Sequence, residues 1–306
     1  QEIMYVDDER SRNCLLLMFS STLNKINLTY HSSGERSEGR GDSSVFRYYR
    51  YRIAPRHSPQ DTLKVFQGKF GRLLAAKAEI GSKLRPGEER KVTAIRGSAT
   101  ATQIPNESVD YIYTDPPYGA KINYLDLSVM WNSWLGLLVT DEDMNQEIIE
   151  GGSKRKTIED YRDLMAQSMR EMFRVLRFDR WMSFVFAHKD PRYWHLIIAA
   201  AEEAGFEYHS AVRQNNGQSS FKKRQMPFKI LQGQLIINFR KVKSPKTLAT
   251  VALGPGITQV VRETIEEAIA TGHGATIEEI NDALVIKGLE QGFLHILSKE
   301  YSDITP

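Results

Sequence analysis

Residues 111 to 124 read YIYTDPPYGAKINY, and within them Asp115, Pro116, Pro117 and Tyr118 follow directly on a hydrophobic run. A carboxylate, a backbone carbonyl of restricted direction and an aromatic ring thus stand within four residues. Proline lacks an N–H and fixes φ at about −65°, and the residue before it is pushed toward extended geometry. The carbonyl of Pro116 is therefore kept out of helix and sheet. What needs an acid, a rigid carbonyl and a ring held that closely is the question the stretch raises. The plainer alternative is a Pro-Pro turn that merely ends a strand.

The elements around this stretch must hold it at the end of a sheet. Strand patterns are predicted at KVTAIRGSA (91 to 99), SVDYIYTD, RWMSFVFA, EYHSAVRQ and GQLIINFRKV. Helices are predicted at TIEDYRDLMAQSMREMFRVL and DPRYWHLIIAAAEEAGF. In the first of these Thr157 caps with Asp160, and Tyr161, Leu164, Met165, Met169, Met172, Phe173 and Leu176 share one apolar face. Gly205 stops the second. Strands alternating with helices, in near-continuous apolar runs, predict an α/β fold with a parallel-rich sheet, closed by an antiparallel hairpin. Ahead of it, residues 13 to 30 and 60 to 80 read as helical, the second with Leu63, Phe66, Phe70, Leu73 and Leu74 in register. The Gly/Ser-rich start of the stretch between them is loop, and KLRPGEER (83 to 90) is a turn. After a linker at 243 to 256, the tail from Ile257 to Pro306 reads as two or three helices, with Thr276 and Glu279 as a capping box. The expected domains are a mainly helical segment over 1–90, a catalytic α/β core over 91–243 and a helical extension over 250–306.

Composition narrows the class. The 306 residues are 41% hydrophobic and 26% charged, ordinary globular values. No apolar run reaches membrane-spanning length, and CLLLMF (Cys14 to Phe19) is too short for a secretory signal. Cys14 is the single cysteine, so neither an internal disulfide nor a cysteine metal cluster is available. A reducing, cytoplasmic setting fits. The formal charge of +3 and pI near 8.8 permit a nucleic-acid partner without requiring one. No His/Asp/Glu spacing suggests a metal. The opening QEIMYVDDERSRN predicts a piece of a longer protein.

IRGSATATQIPNESVDYIYTDPPYG followed by FRVLRFDRWMSFVF, within residues 92 to 242, resembles the amino-methyltransferases that use S-adenosylmethionine and carry an Asp-Pro-Pro-Tyr motif. It is similar in particular to site-specific DNA methyltransferases that modify adenine N6. The resemblance implies a Rossmann-like methyltransferase sheet with a helical N-terminal insertion and a helical C-terminal extension. It implies S-adenosyl-L-methionine as cofactor, DNA as partner, and catalytic roles for Asp115, Pro116, Pro117 and Tyr118. The lone pair of an exocyclic base amine is delocalised into its ring; by the resemblance, Asp115 and the Pro116 carbonyl accept its N–H bonds, which favours the pyramidal form and frees that lone pair, while Tyr118 stacks on the base. Restriction or defence-system subunits are further partners it suggests. Gly97 and Ser98 end the preceding strand where the family often contacts the cofactor's adenine through an acidic or polar residue; Asp115 faces the cofactor as well as the substrate. The family's Gly-rich turn after its first strand has no acceptable copy here. The expectation is that this half of the sheet lies upstream of Gln1. The alternative copy is 249 to 270, which reads strand, Gly-turn, helix but lacks the aromatic and acidic partners.

Asn123 and Tyr124 are close enough in sequence to wall a base pocket, or they simply begin a helix. His188 ends a strand and either faces the cofactor cleft or is structural. Trp131 and Trp134 read as core. RQNNGQSSFKKRQ (213 to 225) offers Arg213, Lys222, Lys223 and Arg224 for phosphates and amides for base edges. RYYRYR (47 to 52) interleaves cations and rings. Either stretch is otherwise a solvated face. Three other activities remain open: cytosine-N4 DNA methylation, guanine-N2 methylation of transfer RNA, and a non-catalytic nucleic-acid-binding module.

Overall fold

The computed structural model describes residues 2–32, 41–43, 45, 49–53, 57–84, 92–215, 233–248, 256–270 and 277–300. The chain divides into two compact units, one of Gln1–Arg96 with Asn123–Glu147 and one of Gly97–Ile122 with Ile148–Pro306.

The first unit is mainly helical. It holds a 3-10 turn at Glu2–Tyr5, α1 at Glu9–Leu23, a short antiparallel pair β1 (Tyr30–Ser32) and β2 (Gly41–Ser43), and α2 at Thr62–Lys83. Asp8 and Asp61 cap the two long helices by accepting from Ser11 N and Lys64 N. The segment after the Asp-Pro-Pro-Tyr loop returns to this unit as α3 (Tyr124–Leu135) and α4 (Asp141–Gln146). Trp131 Nε1 donates to Ser20 O at 2.9 Å and Phe19 meets Trp134 edge-on. Trp134 is nevertheless 67% exposed, against the expectation of a core residue. The apolar stripe of α2 behaves likewise: Leu63, Phe70 and Leu74 are exposed, and none of its residues is buried.

The second unit is α/β. It consists of β3 (Val109–Thr114), α5 (Ile158–Val175), β4 (Leu176–Phe186), α6 (Pro191–Ala204), β5 (Phe206–Asn215), β6 (Gly233–Lys241), α7 (Ile257–Ala270), α8 (Ile277–Gln291) and α9 (Leu294–Glu300). The sheet order is β3-β4-β6-β5, with β3 parallel to β4 and β6 antiparallel to both its neighbours. The last two strands form the expected hairpin, and β6 enters the sheet between β4 and β5. The capping box of α5 is present in both directions, and Gly205 closes α6 at φ +102°. Lys241 holds the far end of α5, its Nζ donating to Phe173 O and Leu176 O at 2.8 Å each.

One face of this sheet is the core. Met182, Phe184, Phe186, Leu235, Ile237 and Phe239 lie on it and pack with Tyr161, Met165 and Met169 of α5 and with Trp194 and Ile197 of α6. Each such side chain contributes about 2 kcal/mol by burial. Leu284, Leu289, Phe293 and Leu297 belong to the same core, so the C-terminal helices are part of this unit rather than a separate extension. Amphipathic helices that short need an apolar surface to stand on. The other face is polar at its centre: Tyr111, Ser183, Asn238 and Ser210 hydrogen-bond in a row across all four strands. Residues 92–97 are not a strand. Val92 and Ile95 stand 87% and 67% exposed, and only an isolated bridge from Ser98 to Ala101 forms. A β-prone run that pairs with no strand among the described residues stays irregular.

Candidate active site

The loop 115–122 leaves the carboxyl end of β3, beside the carboxyl end of its parallel partner β4, where open α/β sheets bind ligands. Its backbone is pinned from below. Tyr161 donates its hydroxyl to Pro117 O at 2.8 Å, and Glu150 N donates to Gly119 O. Burial pushes the Tyr161 phenol well above its ordinary value, so it remains a donor. Gly119 has φ +60° and lies against the ring of Tyr193, whose own hydroxyl donates to Glu150. Tyr193 packs on His188 at 3.9 Å between ring centroids and edge-on against Tyr161 at 5.5 Å.

At the tip, Asp115 is exposed and its Oδ1 accepts from the Tyr118 hydroxyl at 2.5 Å. Gln234 Nε2 donates to the same hydroxyl at 2.8 Å. The Tyr118 ring meets Phe186 edge-on at 5.0 Å, and Lys121 Nζ stands 5.2 Å over it. Among the described residues nothing donates to Asp115 Oδ2 or to the Pro116 carbonyl. The two acceptors singled out in the sequence are thus the two left open, whereas the carbonyls of Pro117 and Gly119 are used.

His188 lies two residues past the end of β4, with its Nδ1 accepting from Asp190 N. Burial lowers its pKa to about 4 against the pull of Asp190, so the imidazole is neutral at physiological pH. Trp194 Nε1 donates to its carbonyl, fixing the start of α6.

The remaining expected residues are placed as follows. Gly97 faces open space, a Cβ there meeting nothing within 4 Å. Ser98 makes a local turn, its hydroxyl hydrogen-bonded to Thr100. This segment is tied to α5 through Thr102, whose N and Oγ1 both donate to Glu171, itself clamped by Arg174. Asn123 is the N-cap residue of α3 with no side-chain capping bond, and with Tyr124 it belongs to the first unit. Arg213 is paired with Asp282 of α8 at 3.3 Å, which ties it to the core side of the unit. Lys222, Lys223 and Arg224 lie outside the described residues, as do Arg47 and Tyr48, Thr276 and the strand half of 249–270. No group of three or more metal-ligating side chains occurs among the described residues. Sequence reasoning missed Glu150, Tyr161, Tyr193 and Gln234 as the loop's supports. Tyr161 read there as a helix-face residue and Tyr193 only as part of the next helix, and nothing local marks Glu150 or Gln234 as polar partners of a distant loop.

No protein-family profile matches the chain, and no curated protein matches it in sequence. Among solved structures, a Thermus thermophilus protein provisionally named a DNA modification methylase aligns at 15% identity and TM-score 0.28, over 59% of this chain and 63% of that one. Its complex with S-adenosyl-L-methionine aligns at 18% identity and TM-score 0.29, over 59% and 66%. The cyclase SpnF aligns at 11% identity and the same TM-score of 0.29, over 57% and 64%. The chain thus spans just under two thirds of the length of the structures it matches. At these scores the likenesses carry no weight for fold or function.

Proposed function

We propose that the second unit is the amine-activating part of an S-adenosylmethionine-dependent methyltransferase whose substrate is the N6 amine of adenine in DNA. The observation that carries this reading is the pair of open acceptors at the loop tip, Asp115 Oδ2 and the Pro116 carbonyl, in a loop whose Pro117, Tyr118 and Gly119 carbonyls and Tyr118 hydroxyl are engaged. The N–H bonds of an exocyclic amine are directed to these two oxygens. The nitrogen pyramidalises, and its lone pair turns away from the ring toward the methyl donor. When bound, S-adenosyl-L-methionine supplies a methyl group activated as a sulfonium.

The fit to this cofactor is partial. Gly97, with open space beside it, and Ser98 would border its adenine side, and Asp115 would face the transferred methyl. Among the described residues no glycine-rich turn after a strand is present for its methionine side. What this chain supplies is position: rigid prolines, a ring beside the amine, and a buried scaffold beneath them. Positioning of two reactants is itself a large part of such a rate. A target adenine must leave the duplex stack to reach the tip. Lys222, Lys223 and Arg224 supply the phosphate contacts in this reading.

The test is to give the complete protein labelled cofactor with duplex DNA and, separately, transfer RNA, then digest to nucleosides and identify the product by mass. N6-methyladenine in DNA is expected. N4-methylcytosine overturns the base, N2-methylguanosine in transfer RNA overturns the polymer, and no methylated nucleoside overturns the reaction.

A further inference from the structure

We propose that Gln234 is a positioning residue for Asp115, acting through the hydroxyl of Tyr118; the assignment rests on the amine-activating reading above. Gln234 is the second residue of β6, far from the loop in sequence, yet its Nε2 donates to Tyr118 Oη at 2.8 Å and that hydroxyl donates to Asp115 Oδ1 at 2.5 Å. An amide nitrogen donates only. The phenol oxygen is therefore the acceptor in the first bond, and its single proton is committed to the carboxylate. Gln234 sets the direction of the whole relay.

Two consequences follow for the chemistry. Asp115 Oδ1 is engaged, so the carboxylate presents Oδ2 to the substrate, and one pinned oxygen restricts rotation of the carboxylate plane. With the Pro116 carbonyl as the second acceptor, the tip offers two oxygens of fixed direction, which matches the two N–H bonds of an NH₂ group. A hydroxyl or a ring N–H, with one hydrogen each, satisfies only half of it. The anchor is also firm. The strand β6 is paired on both sides, Gln234 opposite Gln214, and the next residue, Leu235, is buried in the core. An exposed loop carboxylate is thereby oriented from a central strand. The ring of Tyr118, wedged on Phe186, is the intermediate.

The experiment measures methyl transfer by the complete protein for wild type, Tyr118→Phe, Gln234→Met and the double variant, with kcat and KM determined separately. Tyr118→Phe keeps the ring and removes the relay. Tyr118→Phe is expected to lower kcat about ten- to a hundredfold, the value of a hydrogen bond to a charged group, and Gln234→Met about two- to tenfold, the value of a neutral one, with KM little changed in either. The double variant is expected to be no slower than Tyr118→Phe alone, because without the hydroxyl Gln234 has nothing to act through. Gln234→Glu, of the same shape but without the amide donor, is expected to fall with Gln234→Met and guards against a packing defect of the methionine. Losses that multiply in the double variant, or an unchanged kcat in Gln234→Met, overturn the assignment alone. A wild-type protein that methylates no nucleic acid overturns the preceding reading and this assignment with it.

Discussion

Gly119 is the residue on which the geometry of the loop turns. Its φ of +60° lies in the left-handed region, and an ideal Cβ there would stand 2.4 Å from Tyr193 Cε1. Tyr193 cannot retreat: it is 4% exposed, its hydroxyl is held by Glu150, and Tyr161 and His188 flank its ring. Gly119→Ala is therefore expected to destabilise the protein by about 2–4 kcal/mol, from overpacking together with the left-handed backbone. Denaturant midpoints check this, and a variant as stable as wild type would show that the loop is not seated on Tyr193. The placement of Asp115 just past a strand was legible in the sequence because the motif lies in four contiguous residues. The seat beneath it was not, because Glu150, Tyr161, Tyr193 and Gln234 reach the loop from 31 or more positions away.

At the scale of elements, the helices whose ends are written locally were legible. Thr157 with Asp160 and the αL Gly205 bound α5 and α6 as expected. The strand expected at 91 to 99 does not form over 92–97 because pairing, not propensity, makes a strand, and Val92 and Ile95 have no strand partner among the described residues. The chain just after it is tied to α5 by Glu171, which accepts from Thr102, and by Arg174, which donates to the Ile104 carbonyl. Glu171 is buried, and the Arg174 guanidinium with the Thr102 donors holds its pKa at about 2, below the ordinary 4.5. Between these values the unfolded chain binds a proton that the folded one does not. This contribution to stability is thus complete above about pH 4.5 and is lost as pH falls toward 2. Comparing urea midpoints of wild type and Glu171→Gln from pH 6 downward, the advantage of wild type should shrink through that window. An advantage that stays constant would mean that the Glu171 charge does not hold Thr102 to α5.

For the molecule as a whole, the two units have different characters. The first is helical and leaves large apolar side chains such as Leu63, Leu74 and Trp134 exposed. The second has a single core that spans the sheet, α5, α6 and the C-terminal helices. The α/β class and the closing hairpin were legible from alternating patterns; the grouping of 123–147 with the N-terminal segment was not, because contacts such as Trp131 to Ser20 join residues 111 positions apart. All of the proposed chemistry converges on one exposed carboxylate, Asp115, with little packing role. The most direct measurement is single-turnover methyl transfer by the complete protein carrying Asp115→Ala, with nucleic-acid and cofactor binding measured separately on the same sample. A loss of about 10²–10³-fold or more in the transfer rate is expected, the scale on which one preorganised polar group acts in a transition state, with both affinities and the melting temperature close to wild type. Transfer at the wild-type rate would contradict the account.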